Sequence, residues 1–152
     1  MKCCFCGHGR YWEVPNSIVV LLLETIEYLI NYRNVDTFIS GGMGEFDRLC
    51  ESAIGELKKS YPHIKLFLYI PYMTKYLSNN MEYLHKKYDE IIYPELEQVY
   101  YKSAIQKRNC IMIDESDFMV AYVRNDKGGA RQSYKYAKRS KKIKIINLVE
   151  YI

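Results

Sequence analysis

Phe38-Ile39-Ser40-Gly41-Gly42-Met43-Gly44-Glu45-Phe46-Asp47 is the stretch around which this chain of 152 residues is organised. It joins an apolar, strand-like run, Val35 to Ile39, to an amphipathic helix. Apolar side chains recur in that helix at i, i+3, i+4, i+7, i+8 and i+11, and they are Phe46, Leu49, Cys50, Ala53, Ile54 and Leu57. A glycine-rich turn from a strand into a helix exposes backbone N–H groups at the positive end of the helix, where a phosphate can bind. The stretch therefore predicts a nucleotide-site candidate.

Two further glycine loops follow strand-like segments. Gly7 and Gly9 come after the run from Lys2 to Cys6, and Gly128 with Gly129 comes shortly after the run from Phe118 to Val123. If these strands are parallel, the three loops lie at one edge of a single sheet.

The remaining pattern alternates strands with helices. Strands are predicted at residues 2–6, 35–39, 64–70, 90–93, 118–123 and 143–148, and helices at 18–32, from 46 to about 60, and at 78–88, 100–115 and 132–140. Such alternation indicates parallel pairing through right-handed crossovers. We expect one α/β domain over residues 1–152, with an open three-layer, mainly parallel sheet and helices on both faces.

Composition narrows the class of protein. No apolar run approaches the ~20 residues of a membrane span, and the N-terminus lacks a secretory layout, so we expect a cytoplasmic protein without a membrane partner. Five cysteines without an export signal indicate reduced thiols. Cys3 and Cys6, with His8 nearby, could form a metal or redox site, but small apolar packing is favoured because the second half of a zinc site is absent. We predict no metal and no cofactor.

Basic residues crowd the last quarter of a chain whose net charge is +4. They are Arg131, Lys135, Lys138, Arg139, Lys141, Lys142 and Lys144. A nucleic-acid surface is one interpretation, but the solvated face and C-terminal turn of a helix are favoured, because cations there complement the helix dipole. The sequence leaves a homo-oligomer open.

In the central loop, the amides of Gly41, Gly42, Met43 and Gly44 and the hydroxyl of Ser40 are the predicted phosphate ligands. The loop lacks the lysine of a G-x-x-x-x-G-K-[ST] phosphate loop and does not read G-x-G-x-x-G. Carboxylates at Glu45 and Asp47 would repel a triphosphate, so Asp47 is expected to meet a sugar hydroxyl instead. A plain tight turn is the alternative.

The other two loops supply further candidates. Gly7 turns the chain so that His8 and Arg10 can meet a phosphate or ribose, although a surface loop with a capping histidine is equally compatible. Gly128 and Gly129 open a helix whose first turn contains Ser133, which makes a second anion cradle or a flexible turn.

Arg108 stands on an otherwise apolar helical stripe with Ala104, Ile105 and Met112. Arginine is rarely left unpaired in such a place. Either a carboxylate (Asp114, Asp117 or Asp47) or a ligand phosphate pairs with it, and the ligand is slightly favoured. Asn109 beside it is a second candidate contact.

Together these motifs resemble a known family. Cys4-Phe5-Cys6-Gly7-His8, Phe38 to Asp47, Arg108-Asn109 with Ile113 to Asp117, and Gly128-Gly129 leading to Tyr136-Ala137 are similar to the YpsA-like branch of the SLOG superfamily. That superfamily also holds the DNA-processing Smf/DprA proteins and the lysine-decarboxylase-like LOG phosphoribohydrolases. The resemblance implies a Rossmann-like fold that binds a nucleotide or a nucleotide-derived ligand of the ADP-ribose or nucleoside-monophosphate type.

The sequence also departs from the family patterns. LOG enzymes use an arginine, whose place Arg108 matches, and a P-G-G-x-G-T-x-x-E motif, but here Lys127 to Gln132 contain no glutamate. Gly9 is inserted before Arg10, and Ala130 stands where a threonine is usual. We therefore expect a binding or sensing module. N-glycosidic nucleotide hydrolysis and single-stranded DNA binding are the two alternatives.

Overall fold

The centre of the computed structural model, which describes residues 1–94, 96 and 99–152, is a sheet of six parallel strands. The strands are β1 (Lys2–Gly7), β2 (Thr37–Ser40), β3 (Lys65–Tyr69), β4 (Glu90–Ile92), β5 (Phe118–Tyr122) and β6 (Lys144–Asn147). Their order is β4-β3-β2-β1-β5-β6, and every pairing is parallel. The chain thus moves outward from β1 to β4 and then returns to the other side of β1. In sheets of this kind ligands bind at that reversal, outside the carboxyl ends of the strands.

Helices cover both faces of the sheet, as the alternating side chains of β1 show. Cys3 and Phe5 join a core with buried side chains of α1 (Val19–Arg33) and α2 (Glu45–Leu57). Cys4 and Cys6 join a second core with α5 (Tyr101–Asp114) and α6 (Gly129–Ser140). The predicted open three-layer α/β fold is confirmed.

The same alternation decides between the two interpretations of the C-x-x-C motif. Residues three apart on a strand point to opposite faces, so Cys3 and Cys6 cannot ligate one metal ion. Both are buried free thiols, and burial raises the pKa of each. They pack as small apolar side chains.

Three predicted helices differ in their bounds, and α2 ends at Leu57, about three residues before its predicted end. The helix expected at residues 78–88 is divided into α3 (Lys75–Asn79) and α4 (Met81–Lys87). The division falls at Asn80, whose backbone is not helical (φ −120°, ψ 19°), while Thr74 caps α3 by accepting from the Leu77 amide. Helix α6 begins at Gly129, three residues before the predicted start.

Strand β2 begins two residues later than predicted, and α1 explains the delay. Helix α1 ends in a left-handed Asn34, and the amide of Val35 still bonds back to the carbonyl of Leu29. Val35 therefore belongs to the helix terminus. Among the described residues, no helix is long and apolar enough to cross a membrane.

Gly44 gives the first testable prediction. Its φ is +92°, and a Cβ there would lie 2.5 Å from the Cα of Gly9. We expect Gly44→Ala to lower the free energy of unfolding by about 2–4 kcal/mol, through backbone strain and overpacking. Gly55→Ala is the control, because a Cβ at Gly55, within α2, meets nothing within 4 Å and should add about 0.5–1 kcal/mol. Urea unfolding measures both, and an unchanged midpoint for Gly44→Ala would contradict the described loop contact.

Candidate functional site

A cavity of about 570 Å³ lies at the carboxyl edge of the sheet, beside the reversal between β1 and β5. This loop cavity is bounded by the three glycine loops, α5 and the start of α6. Many predicted site residues line it, namely Gly7, His8, Arg10, Gly41, Met43, Asp47, Arg108, Asn109, Gly128, Gly129 and Ser133. Its volume is typical of a small-molecule site. Ser40, Gly42 and Gly44 do not line it.

The amides at the start of α2 are bonded to the first glycine loop. The amide of Glu45 donates to the Gly9 carbonyl at 2.8 Å, and that of Phe46 donates to the His8 carbonyl at 3.3 Å. These groups would otherwise be the open donors of a helix N-terminus. Here they fix the central loop against the first loop.

Within the central loop, three of the five predicted phosphate donors have internal partners. The amide of Gly42 donates to Ser40 Oγ at 3.0 Å, and that of Met43 donates to Asp47 Oδ2 at 3.0 Å. Ser40 is completely buried, and its hydroxyl donates to Glu51 Oε2 at 2.6 Å. The Gly42 and Met43 amides and the Ser40 hydroxyl are thus engaged within the protein, whereas a phosphate contact from the Gly41 and Gly44 amides stays a prediction.

Arg108 is where the central loop meets the cavity. Its side chain is buried, with 2% of the residue exposed, and Nη1 donates to the carbonyls of Gly41 (2.9 Å) and Tyr69 (2.7 Å). Nε donates to Asn109 Oδ1 at 2.8 Å. A Cβ on Gly41 would lie 3.0 Å from the guanidinium carbon, so the glycine permits this close approach. The central loop thus positions the arginine.

None of the three carboxylates predicted as partners of Arg108 forms a direct ion pair with it, but Asp47 is close enough to act on it electrostatically. Asp114 accepts from the Tyr136 hydroxyl, and Asp117 accepts from the Lys2 amide. In the part of the chain that the structure describes, no carboxylate lies within 4.0 Å of the guanidinium. Burial lowers the pKa of Arg108, yet an arginine stays cationic. It is a buried cation without a direct ion pair among these residues, and the charge of Asp47 opposes the lowering of its pKa by burial.

One nitrogen of the Arg108 guanidinium has only a weak acceptor, and the residue lines the cavity. Nη2 carries two N–H groups, and its partner among the described residues is the sulfur of Met43 at 3.6 Å. A thioether is a weak acceptor. An anion in the loop cavity would supply a strong acceptor and a direct ion pair.

The start of α6 offers further donors to the same cavity. Gly128, Gly129 and Ala130 line it, and the first amides of a helix have no acceptor within the helix. Buried Ser133 accepts from Asn109 Nδ2 at 3.2 Å and Gln106 Nε2 at 3.3 Å, so its own O–H remains to donate. The second predicted anion cradle therefore has open donors.

Lys127 also lines the cavity, and the sequence analysis did not single it out. It directly precedes Gly128-Gly129, and a cation next to a glycine pair at a helix start was the signal available in the sequence. Glu13, at the cavity wall, was likewise missed, and it accepts from Asn125 Nδ2.

His8 connects the first loop to the segment after β5. Its Nε2 accepts from the amides of Arg124 (2.8 Å) and Asn125 (3.2 Å), which requires a neutral ring with its proton on Nδ1. Burial lowers the pKa of this imidazole, in agreement with the neutral form. Arg10 is the other candidate in the first loop, and its guanidinium carbon lies 5.4 Å from the ring centre of exposed Trp12.

Asp47, which lines the cavity, has a carboxyl group with a strongly raised pKa. Burial raises the pKa of its carboxyl to about 7, and the hydrogen bond from the Met43 amide opposes that shift. Near neutral pH this side chain is therefore divided between a neutral donor and a charged acceptor. Either form can bond a sugar hydroxyl.

Comparisons with known proteins agree with this fold. The YpsA family model, described as the YspA SLOG family, matches residues 15–150, and the chain belongs to that family. It is 34% identical to the uncharacterized SPbeta prophage-derived protein YoqJ of Bacillus subtilis (strain 168), with 78% of this chain and 79% of that protein covered. The family predicted from the motifs is confirmed.

A solved structure also resembles the chain. It is that of DNA processing protein A from Helicobacter pylori, a protein with a unique single-stranded DNA binding mode. The TM-score is 0.63 with 17% identity over 93% of this chain, which confirms the Rossmann-like fold alone. The present chain spans 62% of the length of that chain.

Asp47 makes the stability of the protein depend on pH. The pKa of its carboxyl is about 7 in the folded protein and ~3.9 in an unfolded chain. The contribution of this group to the free energy of unfolding is therefore largest below pH ~4, and it is lost as the pH rises to 7. We expect Asp47→Asn, which cannot ionise, to gain about 2–3 kcal/mol of stability relative to the wild type between pH 5 and pH 8. Urea unfolding at both pH values measures this.

Glu82→Gln is the matched control, because the side chain of Glu82 is 91% exposed on α4. It should keep the same difference from the wild type at both pH values. If Asp47→Asn behaves like this control, the carboxyl of Asp47 is not perturbed as described.

Proposed function

We propose that the loop cavity binds the phosphate and sugar of a nucleotide or nucleotide-derived ligand, of the ADP-ribose or nucleoside-monophosphate type. The observation that carries the proposal is Arg108, a buried cation that lines the cavity and whose Nη2 has a thioether as its acceptor among the described residues. A phosphate oxygen is a strong acceptor for arginine N–H groups.

The phosphate is expected between Arg108 Nη2 and the start of α6. The amides of Gly129 and Ala130, the hydroxyl of Ser133 and the ammonium of Lys127 all belong to that side of the cavity. Asn109 couples the two parts, because its amide group bonds both Arg108 Nε and Ser133 Oγ. Donors from two helices can then meet one anion.

Carboxyl groups limit the charge of the ligand. Asp47 and Glu13 line the same cavity, and an ionised carboxylate repels additional phosphate oxygens. A ligand with one or two phosphates and a free sugar hydroxyl fits better than a triphosphate. Asp47 is the proposed partner of that hydroxyl.

A thermal-shift screen with AMP, ADP-ribose, cyclic ADP-ribose and NAD tests the proposal. A ligand at about 100 times its dissociation constant should add roughly 2.7 kcal/mol of stability. We expect Lys127→Ala to weaken binding about 3- to 10-fold and Arg108→Lys to weaken it more, because a lysine cannot reproduce the guanidinium contacts.

The control is Lys142→Ala, an exposed lysine beyond the far end of α6 that does not line the cavity. It should bind like the wild type. If no ligand shifts the wild type, or if all three variants bind equally well, the proposed site is wrong. Release of free base during the incubation would instead identify the protein as an N-glycosidic hydrolase.

Single-stranded DNA binding is a second candidate function, favoured by the basic surface formed by the last turn of α6 and the residues just after it. Lys138, Arg139, Lys141 and Lys142 are exposed there, and none of them pairs with a carboxylate of the described residues. A cluster of unpaired cations can contact a phosphate backbone. The structural neighbour from Helicobacter pylori binds single-stranded DNA, although it shares only the fold.

The salt dependence of oligonucleotide binding tests this candidate. If all four side chains contact phosphates, changing them to glutamine should reduce the slope of log K against log salt by about 3, since each contact contributes roughly 0.7 for single strands. Lys59→Gln, on another surface, should leave the slope unchanged. Equal slopes for the wild type and the fourfold variant would eliminate this surface.

A further inference from the structure

A second cavity, of about 370 Å³, lies on the other side of the central loop, beneath α3 and α4. Gly41 and Met43 line both cavities, so one short backbone segment separates them. Met43 is 40% exposed, and its sulfur also contacts Arg108 Nη2. The second cavity therefore begins next to the nitrogen proposed to hold phosphate.

Aromatic side chains dominate the wall of this second cavity, which we call the tyrosine cavity after Tyr72, Tyr76 and Tyr83. Aliphatic side chains of Leu68, Ile70 and Leu77 complete it. Tyr76 on α3 is 61% exposed, and Tyr83 on α4 is 58% exposed. Leu84, the neighbour of Tyr83 on α4, is buried. Exposed aromatic rings at the mouth of a cavity are characteristic of ligand sites.

The floor of the tyrosine cavity is a neutralised ion pair. Buried Glu51 accepts from the Tyr88 hydroxyl at 2.7 Å and from Lys87 Nζ at 2.8 Å, in addition to Ser40. The carboxylate is satisfied, whereas the Lys87 ammonium has two further N–H groups. The cavity thus offers flat apolar walls with a hydrogen-bond donor at the base, and no free negative charge on that pair.

We propose that the tyrosine cavity is the subsite for the nucleobase of the same ligand whose phosphate lies at Arg108. This inference rests on the proposed function, and it adds the direction in which the ligand extends. The base crosses over Met43 and stacks on the tyrosines, while Lys87 donates to an acceptor on its edge. Every nucleobase has a planar ring that can stack on an aromatic side chain. We therefore expect this subsite to require a base but to discriminate little between different bases.

Comparison of AMP with ribose 5-phosphate, which lacks the base, isolates this subsite. We expect the wild type to bind AMP at least 10-fold more tightly, because base stacking on an aromatic side chain contributes about that factor or more. Tyr76→Leu combined with Tyr83→Leu should weaken AMP binding about 10-fold or more and leave ribose 5-phosphate binding unchanged. Both tyrosines are exposed, so the variant should remain folded.

Tyr32→Leu is the control, since Tyr32 is 75% exposed on α1 and lines neither cavity. It should bind both compounds like the wild type. Equal weakening of AMP and ribose 5-phosphate by the double variant, or weakening of neither, would overturn the base subsite while the phosphate site stands. Binding is measured by isothermal titration calorimetry. If the wild type binds neither AMP nor ribose 5-phosphate but does bind ADP-ribose, the base subsite is also overturned. Failure of every phosphate-bearing ligand removes the proposed function itself.

Discussion

The burial of the Arg108 guanidinium is the constraint on which the rest of the site depends. Removing a charge from water costs several kcal/mol unless polar groups surround it. The carbonyls at the ends of β2 and β3 supply that environment through Gly41 and Tyr69, and Asn109 supplies a third acceptor. A side chain at position 41 would displace the guanidinium by a few tenths of an ångström. Since these contacts use Nε and Nη1, the direction in which Nη2 points is fixed as well.

Much of the fold could be predicted from the sequence because local signals and topology agree. The apolar positions of α2, from Phe46 to Leu57, are all buried, as their helical spacing predicted. Short apolar runs separated by helices gave each of the six parallel strands to within two residues. Side-chain period and element spacing are properties of the chain itself, so they need no knowledge of distant contacts.

The donors of the site could not be assigned in the same way. A glycine turn before α2 and another before α6 look equivalent in the sequence, yet the first has its amides bonded by Gly9, His8 and Asp47. At the second, Gly129 and Ala130 line the loop cavity, and the first amides of a helix have no acceptor within the helix. This difference arises from contacts between residues far apart in the chain. The position of Lys127 at the cavity and the hydrogen bonds that join Ser40, Glu51 and Tyr88 also depend on such long-range contacts.

A crystal structure of the protein with ADP-ribose tests the central claim most directly, because it locates the phosphate. We expect a phosphate oxygen within hydrogen-bond distance of Arg108 Nη2 and of an amide at the start of α6, with the internal bonds of the central loop unchanged. A phosphate bound instead by the amides of Gly42 to Gly44, or a ligand outside the loop cavity, would contradict the role assigned to Arg108.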